Sequence, residues 1–273
     1  MPTSLRTALR YVVLAAIALV VLFPLYVTVV NALLPGPQIA RRPPTLFPLH
    51  PLWSSFATAW DEGSLGDYLR TSAIVAVATT LAELATSVLA AYAFAFLEFP
   101  FKRALFACCL ATLMVPAEVT IIPNYRTIQV LGWYDTYTAL IVPFVASGLG
   151  IFLFRQSFRQ VPRELRDAAV LDGYGHWRFL LRVVLPLNRP IVGAFCVFAF
   201  LGSWNQYLWP LLVTNTNARR TVQVGLRQLE GLNVAQQNVI FAGTILAALP
   251  IFAILLVFQR QLVRGLTAGA LKG

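Results

Sequence analysis

The residues of this chain whose types and spacing could do chemistry fall into three sets. The first is an acid in aromatic company: Glu118 stands between Pro116 and Pro123, and Trp204, Asn205, Tyr207 and Trp209 fall in the run GSWNQYLWP. If the two stretches converge, a carboxylate with aromatic walls results, an arrangement that attracts a quaternary ammonium group through charge and cation–π contact. The competing role for Glu118 is structural, a protonated carboxyl donating to a carbonyl that Pro123 leaves unpaired. The second set is ELRDAAVLDGYGHWRFLLRVVLP, residues 164–186, within a segment carrying seven arginines from Arg155 to Arg189. The third is the apolar series Val224, Leu226, Leu229 and Leu232 in VQVGLRQLEGLN, spaced to line one side of a short helix or loop.

Other chemistry is excluded by what is missing. The chain has no G-x-x-x-x-G-K-[ST] loop, and its only lysines are Lys102 and Lys272, so it cannot hydrolyse ATP alone. His50 and His176 fall on opposite sides of the membrane in the topology below, which excludes a paired metal or acid–base role within one chain. Ser203 lacks the turn context and the histidine of a nucleophile. Cys108, Cys109 and Cys196 all fall in apolar runs, where small apolar packing is the ordinary role.

The elements that must position these residues are membrane helices. Hydrophobic residues make up 58% and charged residues 12% of the 273, against roughly half and a quarter in an ordinary soluble domain. Apolar runs near the bilayer-spanning length of about 20 residues predict an all-α integral membrane protein of six spans in a single domain, residues 1–273. The spans are 11–34, 69–96, 104–124, 137–154, 190–214 and 239–263. Cationic residues concentrate in the termini, at Lys102 and Arg103, and in the loop 155–189. Because Lys and Arg in short loops stay inside, this predicts a multi-pass cell-membrane protein with both termini cytoplasmic. The net charge of +10 is explained by that bias and calls for no nucleic acid.

The outer segment from Pro35 to Asp67 carries Pro35, Pro37, Pro43, Pro44, Pro48 and Pro51, which predicts stiff extended backbone rather than helix. In the loop 155–189, Pro162 suits the first turn of a helix and Gly173 suits its left-handed end. A second helix from about His176 toward Pro186 then closes a helical hairpin. Leu165, Ala168, Ala169 and Asp172 are expected on one side of the first helix, a low-relief face suited to docking. The acids Glu164, Asp167 and Asp172 among the arginines favour a protein partner over anionic lipid.

Asp167, Ala168, Ala169, Gly173, Val183, Leu185 and Pro186 reproduce the spacing of E-A-A-x3-G-x9-I-x-L-P, with Asp for Glu and Val for Ile. The chain thereby resembles the permease subunits of type I ATP-binding-cassette importers. PPTLFP, WNQYLWPLL and LVRGLTAGALKG extend the resemblance to the second permease of the carbohydrate-uptake branch. VPAEVTIIP, FLFRQSF and WNQYLWPLL are most similar to the permeases of sn-glycerol-3-phosphate importers. The resemblance implies that the hairpin is a coupling helix seated in a cytoplasmic ATPase, through Glu164, Leu165, Asp167, Ala168, Ala169, Asp172, Gly173, Leu185 and Pro186. It implies a second permease subunit, two copies of the ATPase and an extracytoplasmic substrate-binding protein. ATP and magnesium would be used by the ATPase, and this chain would bind no cofactor. Glu118, Trp204, Asn205 and Tyr207 would line the substrate pathway, and Val224, Leu226 and Leu229 would reach the binding protein, unless that loop merely caps the bundle.

The implied substrate is sn-glycerol-3-phosphate or a glycerophosphodiester such as glycerophosphocholine, whose choline end suits the Glu118 arrangement. A neutral sugar or oligosaccharide is the alternative within the class. An ion-driven secondary transporter is the alternative outside it, although only Glu83 and Glu118 are acids at membrane depth and no internal repeat supports it.

Overall fold

The structure, a computed structural model, describes residues 3–229 and 236–268. All regular structure among them is helical. The order is α1 (Thr3–Leu33), α2 (Gly36–Ile39), α3 (Ser54–Asp61), α4 (Leu65–Phe96), α5 (Lys102–Ala111), α6 (Ala117–Val130), α7 (Tyr137–Ile141) and α8 (Gly148–Phe158). There follow α9 (Arg163–Leu171), α10 (His176–Phe179), α11 (Leu185–Leu187), α12 (Arg189–Trp204), α13 (Leu208–Val213), α14 (Val222–Leu229) and α15 (Gln237–Ala268).

Three stretches, Thr7–Leu33, Leu65–Phe96 and Gln237–Gln259, are long and apolar enough to cross a membrane unbroken. Three more reach that length only as bent pairs. Lys102–Met114 meets Ala117–Val130 at 99°, Tyr137–Phe144 meets Gly148–Phe158 at 45°, and His176–Leu187 meets Arg189–Trp204 at 83°. The expected third, fourth and fifth spans are therefore not continuous helices. Val115 is extended (φ −87°, ψ 116°) ahead of Pro116, as a residue before proline prefers. Pro123 stays inside α6 without ending it. The run 190–214 stops at Trp204 and resumes at Leu208, because Pro210 has no N–H to give to the carbonyl of Gln206. The outer segment 35–67, expected to be extended, instead opens with the helical turn α2, in which Pro37 takes a first-turn position where no N–H is needed, and forms α3 beyond Pro51.

The chain divides into two compact units, Met1–Asp67 with Val224–Leu249, and Tyr68–Gln223 with Pro250–Gly273. In the first, most side chains of α1 are exposed. Tyr26 donates to the carbonyl of Leu46 at 2.5 Å, and Asn238 Nδ2 donates to Ser55 Oγ at 2.7 Å.

The second unit carries two buried clusters. One joins Val75 of α4, Ile128 of α6, Ala139 and Leu140 of α7, and Trp209 and Val213 of α13. Trp209 Nε1 donates to the carbonyl of Ala139 at 3.0 Å, and its ring meets Phe144 edge-on at 5.9 Å. Beside this cluster Asp135, at φ 59°, accepts at Oδ1 from the backbone N–H of Asn215 and Thr216, at 2.9 and 3.2 Å. Burial alone would raise that carboxyl. The N–H donors of Asn215 and Thr216 and the Arg219 charge outweigh it and hold the group below its ordinary value.

The second cluster is aromatic and brings α4, α8 and α12 together. Ser147 caps α8 by accepting from Gly150 N–H at 3.1 Å. Gly150 has no room for a side chain: a Cβ there would overlap Ser87 Oγ and lie 2.8 Å from two ring carbons of Phe195. Small residues at such crossings are what let membrane helices approach closely. Gly150→Val therefore overpacks the crossing, a change that typically costs about 1–3 kcal/mol. A detergent-solubilised Gly150→Val chain is expected to unfold several degrees earlier than wild type in a thermal size-exclusion assay, and an unchanged midpoint would contradict the crossing.

Candidate functional site

The hairpin is built from α9, a glycine turn and the limb α10–α11. Pro162 caps α9, one position before the first helical turn proper, and Glu164 stands in that turn, where a carboxylate complements the helix dipole. The C-terminal end is a full Schellman closure. Gly173 N–H donates to the carbonyl of Val170 at 3.0 Å, and Tyr174 N–H to that of Ala169 at 2.8 Å. Gly173 takes φ +72°, and a Cβ at this position would meet nothing within 4 Å. Any penalty for a side chain here is thus conformational rather than steric.

The return limb is anchored by packing and by one amide. His176–Phe179 runs through a wide helical turn at Leu180–Val184 into Leu185–Leu187. Such a turn accommodates Pro186, which lacks an N–H and crowds the carbonyl of Arg182. At the 83° bend Asn188 is buried. Its side-chain amide donates to the carbonyl of Val184 at 2.6 Å, and its Oδ1 accepts from Ser157 of α8. Tyr92 of α4 is hydrogen-bonded to His176 Nδ1 at 2.9 Å. Ala169, Phe179, Leu180 and Val184 are buried in one cluster with Val88, Ala91 and Tyr92 of α4, Phe154 and Phe158 of α8, and Phe195 of α12.

This packing corrects the expected face of α9. Ala169 is 6% exposed and faces the bundle, on the same side as Arg166, whose guanidinium lies 6.0 Å from the Phe96 ring centre. Glu164, Asp167, Ala168 and Leu171, at three- and four-residue spacing, are all exposed on the other side. Leu165 and Asp172 are also exposed, whereas Leu185 and Pro186 are half-buried in the return limb. Leu171 is 88% exposed, and Val170 and Trp177 are also open. Sequence reasoning passed over these three. The available signal was an apolar pair, Val170 and Leu171, at the turn of an otherwise charged helix.

The aromatic pathway residues do not assemble as expected. Trp204 is 2% exposed and stacks on Phe200 at 5.4 Å, and Trp209 belongs to the α6–α7–α13 cluster. Asn205 and Tyr207 are exposed in the break between α12 and α13. Glu118 is exposed in the first turn of α6. It lies about 15 Å along that helix from Ile128, the α6 residue that packs with Trp209. Among the described residues Trp204 and Trp209 are covered by Phe200 and by the α6–α7 cluster respectively, and they do not wall Glu118.

The outer helix α14 shows the same inversion. Val224 and Leu229 are 1% and 3% exposed and Leu226 is half-buried. Leu226 Cδ2 and Leu229 Cδ1 lie 3.2 and 3.0 Å from where Gly243 would carry a Cβ. Val224 and Leu229 are packed inside the chain rather than on its surface. Leu232 lies outside the described residues.

A helical membrane protein of broken and continuous spans, bearing a hairpin with an open face, is the class that this fold and site define. The family described as binding-protein-dependent transport system inner membrane component matches residues 83–268. The chain belongs to that family. It is 39% identical over 264 residues to the sn-glycerol-3-phosphate transport system permease protein UgpE of Yersinia enterocolitica, covering 94% of each chain. It is 37% identical over 257 residues to the protein of the same name from Rhizobium meliloti, covering 91% of each. In fold it is similar to a bacterial ABC transporter involved in the import of the acidic polysaccharide alginate. The TM-score is 0.83 at 20% identity, over 94% of this chain and 96% of that one. A bacterial alginate ABC transporter in complex with an alginate pentasaccharide-bound periplasmic protein matches at a TM-score of 0.64 and 13% identity, over 93% of each chain. Membership of this family displaces the ion-driven reading.

Asn188 is a buried polar tie between hairpin and bundle. Asn188→Leu leaves Ser157 without its acceptor and the Val184 carbonyl with only the backbone N–H of residue 188, a loss of about 1–3 kcal/mol. Faster tryptic cleavage within residues 159–182 is the expected result, measured against wild type in the same detergent, and unchanged cleavage would contradict the anchoring role.

Proposed function

We propose that this chain is one permease subunit of an ATP-driven importer for sn-glycerol-3-phosphate or a glycerophosphodiester. It pairs with a second permease, and each of the two is driven by one copy of a cytoplasmic ATPase. Both termini and the hairpin face the cytoplasm, and an extracytoplasmic binding protein delivers the solute. ATP and magnesium are held by the ATPase, and this chain supplies the mechanical receiver.

The observation that carries the reading is the open face of α9 set on a buried aromatic cluster. Glu164, Asp167, Ala168 and Leu171 offer a small, mixed-polarity surface with an apolar knob at its end, a form suited to a cleft on another protein. Leu165 and Asp172 flank it. Ala169, Leu185 and Pro186 act from beneath, seating the hairpin on α4, α8 and α12, and Gly173 sets its turn. A push on the open face is thus delivered to three membrane helices at once. The substrate class rests on the similarity to the glycerol-phosphate permeases, whose alignment covers nearly the whole of both chains.

Leu171 is 88% exposed and belongs to no core, so Leu171→Asp leaves folding alone and tests contact. In proteoliposomes holding the whole importer, this variant is expected to lower ATP-driven uptake of labelled sn-glycerol-3-phosphate about tenfold or more. Its recovery on purification should match wild type. Full uptake by Leu171→Asp would remove α9 from the coupling mechanism.

A further inference from the structure

In the unit formed by Tyr68–Gln223 and Pro250–Gly273, an apolar groove of about 1140 Å³ runs along the return limb of the hairpin and on between α4 and α12. The limb lines it with Trp177 and Leu181, α4 from Leu81 to Leu89, and α12 from Arg189 to Cys196. Leu81, Leu89, Trp177 and Leu181 are all exposed. The two helical stretches each extend about 10–12 Å along their axes, close to one leaflet's share of a hydrocarbon core roughly 30 Å thick. The groove also exceeds the roughly 300–1,000 Å³ of ordinary small-ligand pockets.

At the hairpin end its character changes. Arg189 is the only charged residue among the described ones that line the groove. It is exposed, and no carboxylate among the described residues pairs with it. Arg178 and Arg182 stand one residue on from Trp177 and Leu181. The mouth is therefore cationic with no acid in its lining, and the rest is hydrocarbon-like.

We propose that this groove holds an anionic glycerophospholipid of the cytoplasmic leaflet, with one acyl chain laid between α4 and α12 and the phosphate at Arg189. The inference rests on the reading above that puts the hairpin on the cytoplasmic side. A small polar solute gains nothing from a wall of leucine and valine, whereas an acyl chain matches it along its length. The Trp177 indole, apolar with a single N–H donor, suits the boundary between chain and head group. A guanidinium grips a phosphate through two parallel N–H···O bonds, and neighbouring arginines on the cytoplasmic side favour a head group of net negative charge. The bound lipid braces the limb against α4 and α12.

Binding is read by native mass spectrometry of the complete detergent-purified importer, mixed with equal amounts of dioleoyl phosphatidylglycerol and dioleoyl phosphatidylcholine. Wild type is expected to retain phosphatidylglycerol about fivefold or more over phosphatidylcholine. Arg189→Gln is expected to lower that preference about fivefold. Arg103→Gln, an exposed arginine outside the groove, is expected to leave it unchanged. Ala85 is exposed and lines the groove, so Ala85→Phe fills it and is expected to lower retention of both lipids. Equal retention of the two lipids by wild type, an unchanged preference in Arg189→Gln, or the same loss in Arg103→Gln would overturn the proposal. If Ala85→Phe releases the second permease on purification and leaves lipid retention unchanged, the groove belongs to that subunit and the proposal falls. The readout is bound lipid rather than uptake, so a failure here is distinguishable from a failure of the importer reading, which uptake reports.

Discussion

The structure depends on how a charged hairpin is fastened to an apolar bundle. Inside a membrane, helices gain little from hydrophobic burial against one another, so shape and a few hydrogen bonds hold them. The hairpin solves this with a dense aromatic joint. Phe96 meets Phe179 edge-on at 5.5 Å and stacks with Phe158 at 6.5 Å, while Phe154 meets Phe195 at 5.1 Å. Ala169 enters that joint because it is small, and its carbonyl is spoken for by Tyr174. Close-packed interiors transmit displacement instead of absorbing it. The hairpin cannot shift without moving α4, α8 or α12, or breaking the joint.

The broken spans follow from the same scarcity of partners. Each interruption frees backbone groups that lipid cannot satisfy, and at two of the three bends a side chain stands ready. Thr86 donates to the carbonyl of Val145 at 2.6 Å at the break before α8, and Ser147 caps the helix beyond it. Asn188 serves the bend before α12, and Trp209 reaches the carbonyl of Ala139. The bends are thus defined positions with specific ties. A bundle jointed in this way can rearrange between discrete packings, which is what coupling to a distant event requires.

Much of this was legible beforehand, and the misses share one cause. Hydropathy marked six membrane segments, and the spacing from Asp167 to Pro186 marked the hairpin, with Gly173 at its turn. Spacing also put Leu226 and Leu229 on one side of a helix, where both lie beside Gly243, whereas Val224, two residues before Leu226, cannot share that side. What it could not supply was the sign of that side. In water an apolar face must be covered, so apolar means inward. Beside lipid, or beneath a helix of the same chain, apolar faces are equally at home, and the pattern is the same. Ala169 was therefore assigned to the open side and turned inward, and Trp204 and Trp209 were assigned to a pathway and went to the core.

The arginines of the loop 155–189 fall into place once the aromatic joint is seen. Arg155 lies 4.0 Å from the ring centre of Phe106 and donates from Nε to the carbonyl of Phe94 at 3.4 Å. Arg166 lies over Phe96 and Arg178 over Tyr174, at 6.0 and 5.2 Å. A guanidinium is flat, weakly hydrated and always charged, so it can stack on a ring while its edge remains in water. An ammonium holds its hydration more tightly and stacks less well, in keeping with a chain that has arginine at every cationic position of this segment. Arg166 and Arg178 thereby cover the rim of the joint, at Phe96 and Tyr174. Their charge keeps the hairpin from sinking into the bilayer, and their planes close the aromatic cluster against water, so one residue type meets two opposing demands at the same boundary.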